Sequence, residues 1–409
     1  MKQKICRMCK SNQLHKFLDL DFSALSDNFL KEDQLEEPEI FFPLTVYTCL
    51  DCGLCQLGYV VSPELMFNEN YPYDSSTTKT GTAHFTNMGK SITKRFNLKS
   101  NSLIIDVGSN SGVLLNGFKS QKMKVLGIEP SSNIAKIAID NNIDTIIDFF
   151  SSKLTNKIIK QYGNASIITA TNVFAHIHDL DDFMKTCDSI LLDNGIIVIE
   201  APYLLHLIEN LEYDTIYHEH LSYISVNPID KFCKKFNFEL FDIEEHEIHG
   251  GTLRYFIGRK NKQKISKNIS KFLKLESDKQ LYSEKTLKFF SESVKNHRNH
   301  LQQLLYDLKK NGKKIVGISA PAKGNTLLNY CKIGPELLDY VTERNPLKIG
   351  KYTPGMHIPV FSDDELLKEQ PDYALILAWN FADEIIKNNS EYQNNGGKFI
   401  IPIPKPIII

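Results

Sequence analysis

The chain has 409 residues, of which 42% are hydrophobic and 24% charged, and its formal net charge at pH 7 is -1. This composition excludes global disorder and predicts two or three domains with sizeable cores. The balance of acids and bases disfavours nucleic-acid binding, because nucleic-acid binders usually carry a basic excess. The sequence has no apolar run of bilayer length and no signal-peptide pattern, so we expect a cytoplasmic protein.

The first 55 residues carry five of the eight cysteines, and four of the five form the pairs Cys6-x-x-Cys9 and Cys49-x-x-Cys52. Each such turn directs two thiolates to one half of a tetrahedral site, so the two turns predict a closed, structural zinc centre. Cys55 is a spare thiol that could compete with Cys52. The alternatives are free thiols or a redox motif, and the latter is disfavoured because neither pair opens a helix of a βαβ unit.

Beyond a helical connector at 61–98, short apolar segments alternate with helical ones. This alternation predicts a parallel sheet with right-handed crossovers. Strands are predicted at 103–107, 125–128, 166–169, 195–199 and 253–257, and helices at 111–119, 132–141, 151–161 and 180–192.

The last third of the chain repeats this pattern on a smaller scale. The lysine- and serine-rich stretch 259–284 predicts a solvated helix face, and 281–310 predicts a long helix. A second, smaller α/β domain is predicted from strands at 314–319, 337–341 and 373–377. Lys323 lies at a predicted helix start that could offer amides to a phosphate, although a purely structural role fits as well.

A loop with two glycines, Asp106-Val-Gly108-Ser-Asn110-Ser-Gly112, follows the first strand of the parallel sheet and opens a helix. Glu129 ends the next strand, where a carboxylate can accept hydrogen bonds from both ribose hydroxyls of an adenosine. Asp148 and Phe149 fall where the adenine would lie. The loop lacks the middle glycine that a dinucleotide pyrophosphate requires, so it favours S-adenosylmethionine, which has no phosphate. The alternative is a plain structural turn.

Three polar clusters are candidates for chemistry. Asn172-Val-Phe-Ala-His176 follows a predicted strand end, where open α/β sheets bind ligands. The others are Tyr217-His-Glu219-His220-Leu-Ser-Tyr and His249-Gly-Gly-Thr-Leu-Arg254. The cluster at 217–223 is not a zinc-protease motif, because its histidines at i and i+2 would point apart on a helix.

These side chains suit the methylation of carbon. A hydrogen beside a ketone is acidic because the carbanion delocalises into an enolate, and a histidine can remove that proton. A neighbouring carboxylate can orient the imidazole, and donors on the ketone oxygen can stabilise the enolate. The alternative for each histidine is a structural side chain. Tyr71-Pro-Tyr73 adds hydroxyls before the cofactor segment and predicts either a lid or a surface loop.

In chain order, the cysteine pairs, the glycine loop and the three clusters are followed by Ala-Pro-Ala-Lys-Gly-Asn-Thr-Leu-Leu-Asn. This series resembles the three-domain nucleotide-sugar C-methyltransferases, including the deoxysugar C-3-methyltransferases of antibiotic biosynthesis, over residues 1–405. The resemblance implies an α/β protein with a zinc-binding domain at 1–75. It further implies a class I methyltransferase domain, Rossmann-like and binding S-adenosylmethionine, at 76–258 and a Rossmann-like C-terminal domain at 259–409.

The resemblance also implies residue roles and a substrate. The cysteine pairs would hold zinc, and a TDP-linked 4-keto-deoxysugar would be the substrate of a monomer without membrane or nucleic-acid partners. At Ser111 the family usually has Asp or Asn, a difference that should tune cofactor binding. The residues assigned to the active site are the general base His220, its neighbours Glu219 and Tyr217, then Asn172 and His176, and one of Tyr71 and Tyr73.

Two other functions stay open from the sequence. The first is O- or N-methylation of a small metabolite, which needs no base strong enough for a C–H bond, so His220→Ala should leave turnover. The second is a zinc-containing binding or scaffold protein with a relic cofactor fold, which would not bind S-adenosylmethionine.

Overall fold

The structure, a computed structural model, describes residues 1–67, 69 and 71–409, and the side chain of His249, one of the candidate residues, lies outside that description. The strands are β1 (Leu14–Ser23), β2 (Phe42–Cys49), β3 (Cys55–Leu57), β4 (Leu103–Val107), β5 (Lys124–Ile128), β6 (Thr145–Ile146), β7 (Ala165–Thr171), β8 (Leu191–Pro202), β9 (Ser222–Tyr223), β10 (Phe238–His246), β11 (Thr252–Arg259), β12 (Ile315–Ile318), β13 (Val341–Glu343), β14 (Val360–Ser362), β15 (Tyr373–Ile376), β16 (Lys398–Ile401) and β17 (Ile407–Ile408). The α-helices are α1 (Pro63–Met66), α2 (Lys79–Arg95), α3 (Val113–Lys119), α4 (Ser132–Asp140), α5 (Thr155–Tyr162), α6 (Leu180–Ile190), α7 (Leu204–Glu209), α8 (Val226–Lys234), α9 (Lys267–Asp278), α10 (Glu284–Lys310), α11 (Ala322–Cys331), α12 (Asp364–Glu369), α13 (Ala382–Asn388) and α14 (Ser390–Asn394).

The central sheet has the order β10-β11-β8-β7-β4-β5-β6. Strands β8 to β6 in this order are parallel, and β10 and β11 form an antiparallel edge. All five residues of β4 are buried, as expected for a parallel strand that is covered on both faces. The strands predicted in this region are confirmed, with ends that shift by up to four residues, whereas β6 and β10 were not predicted.

The neighbouring strands β7, β4 and β5 end at one edge of the central sheet, and each carries a candidate residue just beyond its end. Gly108 follows β4, Glu129 follows β5 and Asn172 follows β7. Because the carboxyl ends of parallel strands share an edge, the sheet itself brings the cofactor loop and the first polar cluster together.

A small antiparallel sheet, ordered β1-β2-β3-β9, holds the N-terminal cysteine region. Its last strand, β9, comes from the polar cluster at 217–223 and pairs with β3, with Ser222 opposite Gln56 and Tyr223 opposite Cys55. The segment that contains His220 therefore continues directly into the sheet of the cysteine region.

The C-terminal sheet has the order β14-β13-β12-β15-β16-β17, with β17 antiparallel. The strand predicted at 337–341 is wrong, since β13 begins only at Val341. Leu337 and Leu338 lie in a turn, where both amides donate to the carbonyl of Gly334 and both side chains are buried. They are apolar because they fill the core, and an apolar run of this length does not distinguish a strand from a buried turn. The long helix predicted at 281–310 is confirmed as α10.

No helix in the described part of the chain combines the length and the apolar character that crossing a bilayer requires.

Candidate active site

The four paired cysteines converge on one point. The Sγ atoms of Cys6 and Cys52 are 3.5 Å apart, as are those of Cys9 and Cys49, and all four lie within 4.8 Å of one another. A zinc ion about 2.3 Å from four tetrahedral thiolates fits sulfur separations of this size. Among the described residues this cluster contains only these four ligands, and Cys55 lies outside it on β3. The site is closed and therefore structural.

The loop after β4 has the backbone that close approach to a ligand requires. Gly108 has φ +63°, and a Cβ there would lie 2.5 Å from Cγ2 of Val173. The carboxylate of Glu129 accepts hydrogen bonds from the amides of Asn110 at 3.0 Å and Ser131 at 2.9 Å, so its orientation is fixed. A carboxylate has further lone pairs with which to accept ribose hydroxyls.

A cavity of about 830 Å³ opens above this loop. Burial raises the pKa of Asp106 on its wall to about 7. Gly112 does not line the cavity, and its φ of +80° instead forms the turn into α3. The predicted cofactor residues that line the cavity are Asp106, Gly108, Asn110, Glu129, Asp148 and Phe149.

The segment 71–76 lies across the cofactor loop. The side-chain amide of Asn110 donates to the carbonyl of Tyr73 at 3.0 Å and accepts from the amide of Ser75 at 2.8 Å. The hydroxyl of Ser111, the position that departs from the family, donates to Asp74 at 2.7 Å. These contacts favour the lid over the surface loop. Both Tyr71 and Tyr73 line the large cavity, although Tyr73 is 44% exposed.

His220 lies in a cluster of rings beside the cavity. Its centroid is 4.9 Å from that of His176 and 4.0 Å from that of Tyr217. Its Nδ1 lies 2.7 Å from the carbonyl oxygen of Thr215. A carbonyl only accepts, so Nδ1 carries the hydrogen and the lone pair of a neutral ring lies on Nε2.

Several buried polar atoms near this ring cluster lack a hydrogen-bond partner among the described residues. They are Oδ1 of Asn172, Nε2 of His176 and Oε2 of Glu219. Buried polar groups without partners are rare in folded proteins, and at a cavity they indicate where a ligand supplies the missing partner. Burial, with a smaller contribution from His220, lowers the pKa of His176 well below its usual range.

The structure does not bring Arg254 of the third polar cluster into this site. Arg254 donates from Nε and Nη2 to the buried carboxylate of Glu200 at 2.8 and 2.7 Å, and His84 contacts the same carboxylate at 2.7 Å. Burial alone would raise the pKa of Glu200, but these two partners lower it to about 2. Arg254 therefore belongs to a structural ion-pair network with Glu200 and His84.

Sequence reasoning missed Arg7, Thr215 and Asp27. Arg7 lies between two zinc ligands, is 7% exposed, and donates to the hydroxyl of Ser222 at 3.1 Å and to the carbonyl of His178 at 3.1 Å. The sequence could have indicated Arg7, because an arginine inside a Cys-x-x-Cys turn lies next to a buried metal site. A buried arginine must find hydrogen-bond partners. Thr215 acts through its backbone and Asp27 through tertiary contacts, so neither leaves a sequence pattern.

Comparison with known proteins gives the same three-part organisation. The chain matches family models for a zinc binding domain over residues 6–67, a methyltransferase domain over 83–243 and the C-methyltransferase C-terminal domain over 247–404. It is 30% identical to the C-methyltransferase NovU of Streptomyces niveus over 405 residues, which are 99% of this chain and 96% of the relative.

Solved methyltransferase structures resemble just under half of the chain, and more distantly. Magnesium protoporphyrin IX methyltransferase (ChlM) from Synechocystis PCC 6803 is 11% identical, with a TM-score of 0.35 over 46% of this chain and 90% of that one. An S-adenosylmethionine-dependent methyltransferase from Clostridium acetobutylicum is also 11% identical, with a TM-score of 0.35 over 44% of this chain and 92% of that one. Likenesses this weak support no inference of their own.

The doubly covered central sheet, its glycine loop with Glu129 and the matched domains define an S-adenosylmethionine-dependent methyltransferase. A closed four-cysteine zinc centre accompanies it. The full-length match to NovU and the match to the C-methyltransferase C-terminal domain go further: the chain belongs to the zinc-containing, three-domain C-methyltransferases. This membership sets aside the O- or N-methylation and scaffold alternatives.

Proposed function

We propose that this enzyme methylates a nucleotide-linked keto-deoxysugar, TDP-linked by resemblance, at the carbon next to the ketone. His220 is the general base in this proposal. The observation that carries it is the 2.7 Å contact between Nδ1 of His220 and the Thr215 carbonyl, because this contact leaves Nε2 as the basic atom. The ring stands beside His176, which lines the same cavity as the cofactor loop.

Nε2 of His220 takes the proton from the α-carbon, and the electron pair of that C–H bond delocalises onto the ketone oxygen as an enolate. A polar side chain that donates to this oxygen stabilises the developing charge. Nε2 of His176 and the hydroxyl of Tyr71 are the candidate donors, since both side chains line the cavity. A neutral His176, favoured by its lowered pKa, can donate from one nitrogen only.

The cofactor residues hold the methyl donor. S-adenosylmethionine, when bound, supplies an electrophilic methyl group on a sulfonium. The ribose is assigned to Glu129 and the adenine to the wall at Asp148 and Phe149, both of which line the cavity. The segment 71–76 covers the loop through Asn110 and excludes water that would quench the enolate.

The proposal is tested by supplying methyl-labelled S-adenosylmethionine with a panel of nucleotide-linked 4-keto-deoxysugars. Each keto-sugar is paired with the matching alcohol, in which the ketone is reduced. We expect label on a ring carbon of a keto-sugar, located by NMR, and none on the alcohols. Equal labelling of the alcohols, or label on oxygen, would overturn the proposal.

A further inference from the structure

A second cavity, of about 90 Å³, lies where all three parts of the chain meet. Asp27 from the N-terminal part, Glu219 from the 217–223 cluster and Lys351 from the C-terminal part line it. Tyr71 lines both this cavity and the large one. The shared Tyr71 makes the two cavities neighbours, so a molecule bound in the large cavity can extend one group into the small one.

We propose that this cavity is a subsite for a neutral ring hydroxyl of the sugar, with Asp27 as a specificity-determining residue. The inference rests on the proposed function and adds which substituent the enzyme selects. Glu219 is 2% exposed, and its Oε2 lacks a hydrogen-bond partner among the described residues. A buried carboxyl oxygen without a protein partner at a cavity wall is available to a ligand group.

The charges around the cavity select a hydroxyl over an ammonium group. The ammonium of Lys348 lies 3.9 Å from the carboxylate of Asp27, and Lys351 adds a second positive charge. Even with both carboxyls ionised, Asp27 and Glu219 are opposed by two ammonium groups, so the cavity has no surplus negative charge with which to select a cation.

The protonation states favour the same group. Burial raises the pKa of both acids, and that of Glu219 reaches about 8. Because Lys348 opposes the rise at Asp27, Glu219 is the acid of the pair that keeps its proton at pH 7. A protonated Glu219 donates a hydrogen bond and the carboxylate of Asp27 accepts one. A hydroxyl satisfies both because it donates and accepts, whereas an ammonium group only donates.

The experiment compares the wild type, Asp27→Asn and Lys351→Met on a TDP-linked 4-keto-deoxysugar and its analogues. In the analogues each ring hydroxyl in turn is replaced by hydrogen or by an amine. The wild type should prefer one particular hydroxyl by about 10- to 100-fold in kcat/KM. In Asp27→Asn, kcat/KM on the sugar that carries this hydroxyl should fall by the same factor, mainly through a higher KM. On the analogue that lacks this hydroxyl, the substitution should not lower kcat/KM further.

Lys351→Met removes one positive charge from a half-buried position and should raise the amine-to-hydroxyl ratio of kcat/KM. The matched control is Asp33→Asn at an exposed position. It should change neither the preference for the hydroxyl over its deoxy analogue nor the amine-to-hydroxyl ratio of kcat/KM. Zinc content and melting temperature of each variant report on folding.

The inference is overturned if the wild type accepts all deoxy analogues equally, or if Asp27→Asn loses the same factor on every analogue. The kcat/KM values of the wild type on the deoxy analogues test the inference even if a variant fails to fold. If the wild type methylates no keto-sugar at all, the proposed function fails instead, and the two failures are distinct.

Discussion

Nε of Arg7, between two zinc ligands, donates a hydrogen bond of 3.1 Å to the hydroxyl of Ser222, two residues after His220. The same guanidinium donates to the carbonyls of Ile177 and His178, directly after His176. Arg7 therefore connects, through hydrogen bonds, the two segments that carry the proposed active-site histidines. None of the four zinc ligands lines either of the two cavities, yet the zinc centre sets where the histidines lie.

Arg7→Lys should lower kcat/KM by about 10-fold or more while zinc stays bound. Lysine keeps the charge but cannot reach the hydroxyl and the carbonyls together, because it lacks the planar fork of arginine. The measurement is steady-state kinetics with zinc content determined alongside. The exposed Lys4→Gln serves as control, and unchanged kinetics in Arg7→Lys would contradict the positioning role.

Removal of zinc should abolish turnover while leaving S-adenosylmethionine affinity nearly unchanged. Without the metal the small sheet loses its anchor and β9 loses its partner, whereas the cofactor loop stands on the central sheet. Calorimetry and activity are measured on chelated protein and again after zinc is restored. Cys55→Ala should still bind one zinc, since Cys55 lies outside the cluster. Full turnover by zinc-free protein would refute this coupling.

Glu129→Gln should weaken S-adenosylmethionine binding by about 10- to 100-fold, because a charged acceptor is lost from the wall of the cavity. The dissociation constant is measured by calorimetry with the cofactor and with its demethylated product. Both should weaken equally, since the ribose is common to them. The exposed Glu37→Gln is the matched control, and an equal affinity in Glu129→Gln would exclude the ribose assignment.

Glu219 should make the protein less stable as the pH rises. Burial and the charge of Asp27 raise its pKa to about 8, against about 4.3 in an unfolded chain. A group with a raised folded pKa contributes stability that is complete below the unfolded value and is lost as the pH rises through the folded value.

The measurement is the melting temperature of the wild type and Glu219→Gln from pH 5 to pH 9. The wild type should fall by roughly 10 °C relative to the variant, because the shifted pKa corresponds to about 4 kcal/mol between pH 5 and pH 9, at about 2–4 °C per kcal/mol. Groups such as Asp106 titrate in both proteins and cancel in the difference. If the melting temperatures of the two proteins change in parallel with pH, the pKa of Glu219 is not raised in the folded state.

Sequence alone predicts the parts of this enzyme that depend on local spacing. The Cys-x-x-Cys turns and the loop from Asp106 to Gly112 each fold within a few residues. The spacing of their residues is therefore enough to predict their geometry. The central parallel strands are mostly apolar because both of their faces are covered, which makes these strands recognisable.

The remaining features depend on contacts between distant segments. Strand β9 has only two residues, and its pairing with β3 joins positions 222 and 56. Asp27 is an ordinary loop acid until the C-terminal Lys348 lies beside it at 3.9 Å. Arg254 looked catalytic beside a histidine, but a buried acid 54 residues away, Glu200, makes it structural.

The most direct test of the central claim is solvent deuterium exchange at the α-carbon of a turned-over keto-sugar, followed by NMR. S-adenosylhomocysteine replaces the methyl donor, so exchange proceeds without methylation. We predict exchange in the wild type and in the exposed control His300→Gln, and a loss of at least about 100-fold in His220→Ala. Exchange at the wild-type rate in His220→Ala would contradict the assignment of His220 as the base.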